Sequence, residues 1–535
     1  MRPKFRFKNV NSILFIALGI KGMIVWFAYL IPADLLKIVG ATIPDTGILI
    51  SYAPEVWLSL LALVFGTLII VVSIASENTP RLIDLFIGNP RGRLYIWLII
   101  LSSLENIYLQ LFSTEPTTFL SNLIFLNSYM LLPVFVTLAI PYAFYILKYT
   151  KNANVIEHIY NENVHALLIS KSIKKKEIGK NHFILLGTIN QLHDLLQYIQ
   201  FKEPKGDIIQ RMGKSLRIYL KFKSSYPPSF FFLSEAIRTD ISFRTLSEKY
   251  VQIENEKTFY EQKVLKVLGS TYLLLIKDGH YELASLCGSE LCETGRLATQ
   301  LQDKPVMGLV IIHFNTLLRY GINQVLRTRE IRNVYNMIYH YSQLVHCFIQ
   351  KWEGQRIQQC CQYFNFYASE MSKLNQTESL FTFLIETFSW ELKKILVALH
   401  KGNFDRKLQR DILIMFIKMH GPEQRHNSDR HDNNGVQLIQ IALSLFYLNQ
   451  DEYEFNMIIE DSIVRELLPA GKSMAKERIG YACELLTSEK EEFWEETDQG
   501  NRNIFYSADT GQIRNFRQSI FSKIENVDSY VAESK

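Results

Sequence analysis

The chain has 535 residues, enough for three or four domain-sized units. Its formal charge of +5 gives no basic stripe of the kind that grips a phosphate backbone, so no nucleic-acid partner is expected. A mean hydropathy of +0.02 is too high for an ordinary soluble protein and too low for a chain that is membrane throughout; two unlike parts averaged together would give it.

Four apolar stretches, 13–31, 56–75, 94–112 and 119–147, crowd into the first 150 residues. Each is near or above the roughly 18–20 residues a helix needs to cross a bilayer, and the rest of the chain reads as holding nothing comparable. Arg2, Lys4, Arg6 and Lys8 precede the first stretch, as in a signal peptide. The run is too long for one, however, and no small-residue cleavage site follows, so it reads as a retained span. Cationic residues alternate across the spans: a cluster before the first, Lys37 alone in the next loop, then Arg81, Arg91 and Arg93, none in 113–118, then Lys148 and Lys151. The positive-inside rule then predicts four spans in a cell (inner) membrane with both termini cytoplasmic. Trp26, Tyr29, Trp57, Tyr95 and Trp97 lie near span ends, as interfacial aromatics do. Six cysteines without disulfide-framework spacing fit a reducing compartment.

Lys21 falls roughly eight residues into the first span, and Glu105 roughly eleven into the third, counted from the same side. A charge at that depth costs about 2.5–3.5 kcal/mol and faces a bundle interior or a water-filled cavity. Opposite signs at matching depth predict a Lys21–Glu105 pair. It would hold the bundle together or line an ion or proton path; otherwise Lys21 would snorkel to the interface, or the charges would face a partner subunit. Asn106, Gln110, Asn122 and Asn127 add polarity to spans three and four. Pro133 and Pro141 predict a kink or break in span four.

A second basic cluster, Lys171, Lys174, Lys175, Lys176 and Lys180, follows the last span. With Arg81 it is a candidate contact for anionic lipid headgroups, each charge contributing about 1 kcal/mol near such a leaflet; a solvated surface loop is the plain alternative. Residues 151–226 read as a small membrane-proximal α+β module. Phe183–Leu186 has strand character, Thr188 with Gln191 resembles a capping box, and Leu216–Lys223 alternates as a half-buried strand does.

After Tyr226-Pro227-Pro228 the pattern turns helical. Residues 260–276, 281–300, 332–350, 356–374, 380–399, 406–419, 436–448 and 453–467 carry a helical period, with turns at 277–280, 401–404 and 449–452. Successive hairpins predict a cytoplasmic α-solenoid, or helical-repeat-like, domain over 227–500. An irregular all-α domain fits the same pattern. Residues 424–435 read as a mobile loop, and 501–535 as a polar tail whose composition allows disorder. The expected fold is therefore mainly α: a transmembrane domain over 1–150, the linker module, the helical domain and the tail.

Catalytic signals are weak. Gly213-Lys214-Ser215 and Gly471-Lys472-Ser473 lack the earlier glycine of a phosphate-cradling loop; Ile208 and Glu466 stand there. His340 and Cys347 are two helical turns apart, too far to share one zinc, and His346 turns to another face. No cofactor, metal or catalytic residue is assigned.

The segment Ser73–Leu82, a Ser-rich span end before Pro80-Arg81-Leu82, and the triplet Gly321-Ile322-Asn323 resemble motifs of an uncharacterised family of predicted bacterial multi-pass membrane proteins. In that family a Ser-Pro precedes the Ile-Asn step and an Asp-Pro follows it; Arg319-Tyr320 and Gln324-Val325 stand here. The resemblance implies a bacterial membrane protein of unassigned role. Three functions compete: a membrane-anchored scaffold, sensor or effector that binds protein partners through its helical domain; an oligomeric channel or transporter using Lys21 and Glu105; and a membrane-bound enzyme of unrecognised class. A homo-oligomer is expected, since four spans form a pore most readily by assembling copies.

Overall fold

The computed structural model describes residues 7–30, 46–78, 90–112, 118–148, 151–375, 381–419, 434–487, 495–497, 500–502 and 510–526. The chain divides into two compact units: Met1–Asn161 with Asp194–Pro204, and Glu162–His193 with Lys205–Lys535. The boundary cuts through the expected linker module rather than around it.

The first unit is built on α1 (Phe7–Leu30), α2 (Thr46–Asn78), α3 (Pro90–Phe112), α4 (Thr118–Phe125) and α5 (Leu132–Lys148). A π-helical segment, Leu126–Leu131, joins α4 to α5. It falls at the expected break in span four. Pro133 carries no N–H and cannot close the turn before it. The Leu132 N–H instead reaches back five residues to the Asn127 carbonyl, the wide turn that defines a π-bulge. α3 packs on α1 and α2, and α5 on α2. α1 and α2 each turn one stripe inward: Ile13, Ala17, Lys21 and Ala28 on α1, and Ala53, Trp57, Leu60 and Val64 on α2, spaced by one or two helical turns.

The second unit begins in α6 (Asn152–Ile169) and continues through α7 (Ile178–Tyr198) and α8 (Lys202–Phe222). The expected strands are helical. Phe183–Leu186 lies in α7, and Leu216–Lys223 forms the end of α8 and its last 3₁₀ turn. The alternation at 216–223 is present, but α8 buries Ile208, Ile209, Met212, Leu216, Tyr219 and Leu220. Burial at helical spacing over the whole element outweighs a two-residue pattern over eight residues. Thr188 caps nothing: it sits inside α7 and donates back to the Ile184 carbonyl at 2.9 Å. Among the described residues the one strand pairing is Glu495–Thr497 against Gly500–Arg502, antiparallel.

Short α9 (Glu235–Thr239) and α10 (Tyr250–Glu256) lead into the helical array. It comprises α11 (Phe259–Lys277), α12 (Tyr281–Gln300), α13 (Lys304–Thr328), α14 (Arg332–Gln350), α15 (Gly354–Asn375), α16 (Thr382–Lys401), α17 (Arg406–Ile417), α18 (Asn434–Asn449), α19 (Tyr453–Leu467) and α20 (Lys472–Thr487). The helices stack in two rows. Odd members pack on odd, α11 on α13, α15 on α17, α17 on α19; even members pack on even, α12 on α14, α14 on α16, α16 on α18. Chain neighbours also pair, as helical hairpins require.

The turns that lead from an even helix to the next odd one repeat a single geometry. Gln302, Trp352, Asn403 and Asp451 each take positive φ, between 51 and 59°. The next residue then bonds back five positions: Asp303 to Ala298, Glu353 to Phe348, Phe404 to Leu399, Glu452 to Tyr447. This is the six-to-one bond of a Schellman cap, recurring roughly every fifty residues. Trp352 stacks on Phe404 of the following turn, ring centres 4.4 Å apart.

Two further expectations are corrected. α13 was unread in the helical pattern, yet Lys304–Thr328 is long and apolar enough to cross a membrane by length and composition, with half its window buried. It packs against α11, α12, α14 and α15, so its apolar face is spent on helices. Within the polar tail, α21 (Ile513–Glu525) buries Phe516, Ile520 and Ile524 against α18, α19 and α20. Three apolar residues at i, i+4 and i+8 suffice for one helical stripe in otherwise polar sequence.

Candidate functional site

The clearest concentration of unusual chemistry lies inside the first unit. The inward stripe of α3 reads Ile99, Ser102, Ser103, Asn106, Leu109, all buried; the middle of the stripe is polar. Lys21 enters from α1. Its Nζ donates to Glu105 Oε2 at 2.7 Å and to Asn127 Oδ1 at 3.2 Å. Asn127 is fully buried and stands in the π-helical segment. Thus the structure brings Lys21 and Glu105 together and adds a third partner from span four. Around them, Asn106 donates to the Ser102 carbonyl, Asn122 to the Ala28 carbonyl and Tyr95 to the Phe135 carbonyl.

The cluster keeps unused capacity. Glu105 Oε1, Asn127 Nδ2, Ser102 Oγ and Ser128 Oγ are buried with no hydrogen-bond partner among the described residues. An ammonium, a carboxylate and a carboxamide within bonding distance form a group that can hold a proton or a small polar species. It can equally pin three helices in register. Asn127 was legible in sequence only as general polarity in span four. The signal for its role is its position six residues ahead of Pro133, where a widened turn re-aims the side chain.

The basic cluster lies in the second unit. Lys174, Lys175, Lys176 and Lys180 are exposed, whereas Lys171 rests its ammonium over the Phe222 ring, 3.4 Å from the centroid. Arg81 lies outside the described residues, as do the Pro80–Leu82 step and residues 424–433. Gly321-Ile322-Asn323 lies inside α13, ahead of α14. Gly321 is there for packing: a Cβ would meet Tyr272 Oη at 2.7 Å and Val334 Cγ2 at 3.0 Å.

Sequence reasoning missed two buried ion clusters in the second unit. Lys223 Nζ lies 2.6 Å from Glu261 and 2.7 Å from Asp303, joining the end of α8 to α11 and to the α12–α13 turn. Burial pushes the Glu261 carboxyl up to about 7, against the pull of Lys223. Lys263, fully buried, binds Asp240 at 2.7 Å and Ser242 Oγ at 2.8 Å. Burial works against the Asp240 carboxylate, but the bond and charge of Lys263 hold it below its usual range. Partners separated by 21 to 80 residues leave no local signal.

The residues considered for phosphate or metal chemistry have other duties. Gly213 lies inside α8, where Glu290 fills the space a Cβ would take and pairs with Arg217 at 2.5 Å. Gly471 precedes α20 at positive φ. Burial pushes the His340 imidazole down to about 4 and the Cys347 thiol up. Among the described residues no group of three or more His, Cys, Asp or Glu is arranged to hold a metal ion.

No protein-family model matches this chain, and no curated protein does. Among solved structures it is similar to a "circular tandem repeat protein with novel repeat topology and enhanced subunit contact surfaces", at 12% identity and a TM-score of 0.37, over 89% of this chain and 100% of that one. A likeness this loose says nothing of function. The mainly helical, repeat-like architecture stands on the helix pairings above.

Proposed function

We propose that the first unit is a four-span membrane bundle and that the helical array is a cytoplasmic scaffold, sensor or effector domain that binds protein partners. One observation carries the membrane reading: the first unit is inside-out. Phe15 and Met23 are 70% exposed, and Trp26, Leu63, Ile69, Leu111 and Phe144 are also open. Lys21, Ser102, Ser103, Asn106, Asn122 and Asn127 are buried. Water would select the reverse distribution; lipid selects this one. Four helical passages match the hydropathy windows 13–30, 52–69, 92–111 and 122–144, and the loop charges favour cytoplasmic termini.

Alkaline carbonate extraction of membranes from expressing cells tests the bundle. The full chain is expected to stay in the pellet; release into the supernatant overturns the reading. The scaffold role is supported by the two-row stacking of helical hairpins, a form that serves extended protein contacts. Photocrosslinking from exposed positions on the array, such as Ile312 and Phe366, is expected to yield discrete adducts in cells. A smear identical to that from random surface positions counts against it.

A second reading has its own support in the unused hydrogen-bonding capacity of Glu105 and Asn127 beside Lys21. It makes the cluster part of an ion or proton path in a homo-oligomer. Proton or cation flux into liposomes, lost in Lys21→Ala and Glu105→Gln, is the expected result. Absence of flux from reconstituted wild-type oligomer removes that reading.

A further inference from the structure

We propose that the end of α6 and the start of α7 form a docking surface for an anionic lipid leaflet, in which exposed apolar side chains enter the interface between lysines. The inference rests on the membrane reading of the first unit and adds the apolar anchors to the sequence-level expectation of headgroup contact.

The surface is built rather than loose. Asn181 Nδ2 donates to the Ala166 carbonyl at 3.0 Å, and the single Ser170 O–H is shared between that carbonyl, at 2.7 Å, and Asn181 Oδ1, at 3.0 Å. These bonds pin the last turn of α6 to the first turn of α7. His182 then holds the loop after α8: one ring nitrogen bonds Ser234 Oγ and the other the Phe230 carbonyl, each at 2.9 Å. The inward side of this region is thereby spent on hydrogen bonds and on Leu185 and Leu186, both buried.

What remains outward is a mixture that water alone does not favour. Phe183 is 70% exposed and Phe232, in the loop held by His182, is 61% exposed; Leu168 and Ile169 are open as well. Lys174, Lys175, Lys176 and Lys180, between Ile169 and Phe183 in the chain, are exposed too, with Glu177 the single acid in that stretch. Lys180 and Phe183 are three residues apart on α7 and so share a face. Lysines around large apolar residues are the composition of a surface that lies in a headgroup layer. The charge commits the occupant to an anionic leaflet, and the sequence supplies the tether, since this segment follows α5 by only some twenty to thirty residues.

The test uses the full chain in nanodiscs of phosphatidylcholine alone or with roughly one-third phosphatidylglycerol. Phe183→Cys is labelled with an environment-sensitive fluorophore in a Cys347→Ser background, because the other cysteines are buried. Quenching by lipids carrying nitroxide acyl chains is expected to be at least about fivefold stronger with phosphatidylglycerol. Replacing Lys174, Lys175, Lys176 and Lys180 together by Glu is expected to abolish that difference, and by Gln to reduce it. Equal quenching in the two lipids, or none with phosphatidylglycerol, overturns the proposal. Failure of the full chain to enter nanodiscs of either kind is a separate outcome that overturns the bundle reading, and this surface with it.

Discussion

In the first unit Ser102 and Asn127 are inside and Phe15 and Met23 outside; in the helical array Tyr341, Phe348 and Leu392 are inside. Both regions are made of long helices at the same period. They differ in which stripe of each helix meets its neighbours. In the array, the hydrophobic effect drives apolar stripes together. On the membrane reading proposed above, lipid is as apolar as a neighbouring helix, so close packing and polar bonds set the contacts. The same amino acid therefore has opposite consequences in the two regions, and substitutions can expose this.

The largest expected effect is at the polar centre. Lys21→Ala leaves the half-buried Glu105 without its counter-charge and is expected to cost up to about 3–5 kcal/mol, measured by thermal unfolding in detergent. Lys21→Met with Glu105→Leu is expected to recover most of it. A single variant as stable as wild type would mean that the pair bonds too weakly to organise the bundle. Next comes a matched pair on the outer surfaces. Phe15→Asp is expected to cost about 3 kcal/mol of insertion free energy and to deplete the protein from membranes. Ile241→Asp, on a 75% exposed residue of the second unit, is expected to change stability by less than about 0.5 kcal/mol. Equal tolerance at both sites would erase the contrast.

The buried carboxylate of the array gives a pH signature of up to about 3 kcal/mol. Glu261 is raised from 4.5 to about 7, so the folded state holds its proton more tightly than the unfolded state. Its contribution is complete below pH 4.5 and is lost as pH rises towards 7. Denaturation across that range is expected to show stability falling with pH, and Glu261→Gln is expected to flatten the slope. A steric effect is expected within the array. Gly321→Ala crowds Tyr272 Oη, which Asn333 already bonds at 2.7 Å, and is expected to cost about 1–3 kcal/mol. An unchanged unfolding midpoint would show that the α11–α13–α14 contact can open without loss.

Much of this was legible beforehand because it is local. Residues 281–300, 332–350 and 453–467 have the same bounds in the pattern and in the fold, since each carries its own apolar stripe. The turn at 277–280 announced itself through Gly279. The turns at Gln302 and Arg329 did not, because residues that rarely adopt positive φ occupy them. Without those two stops α13 has no marked start or end between its neighbours. Residues 216–223 misled for a related reason: eight residues of alternation look like a strand until the preceding turns of α8 are seen to bury the same face.

By itself the sequence determined that helices dominate, that four long apolar stretches crowd into the first 150 residues, and that opposite charges stand near the middle of two of them. Those properties follow from composition, period and the rise of a helix, none of which needs a partner. Tertiary structure decided the rest: that Asn127 joins Lys21 and Glu105 through a π-turn, that α13 spends its apolar face on other helices, and that Phe183 and Phe232 stay open beside the lysines. Each of these depends on which surfaces meet, and that is settled by contacts among residues far apart in the chain.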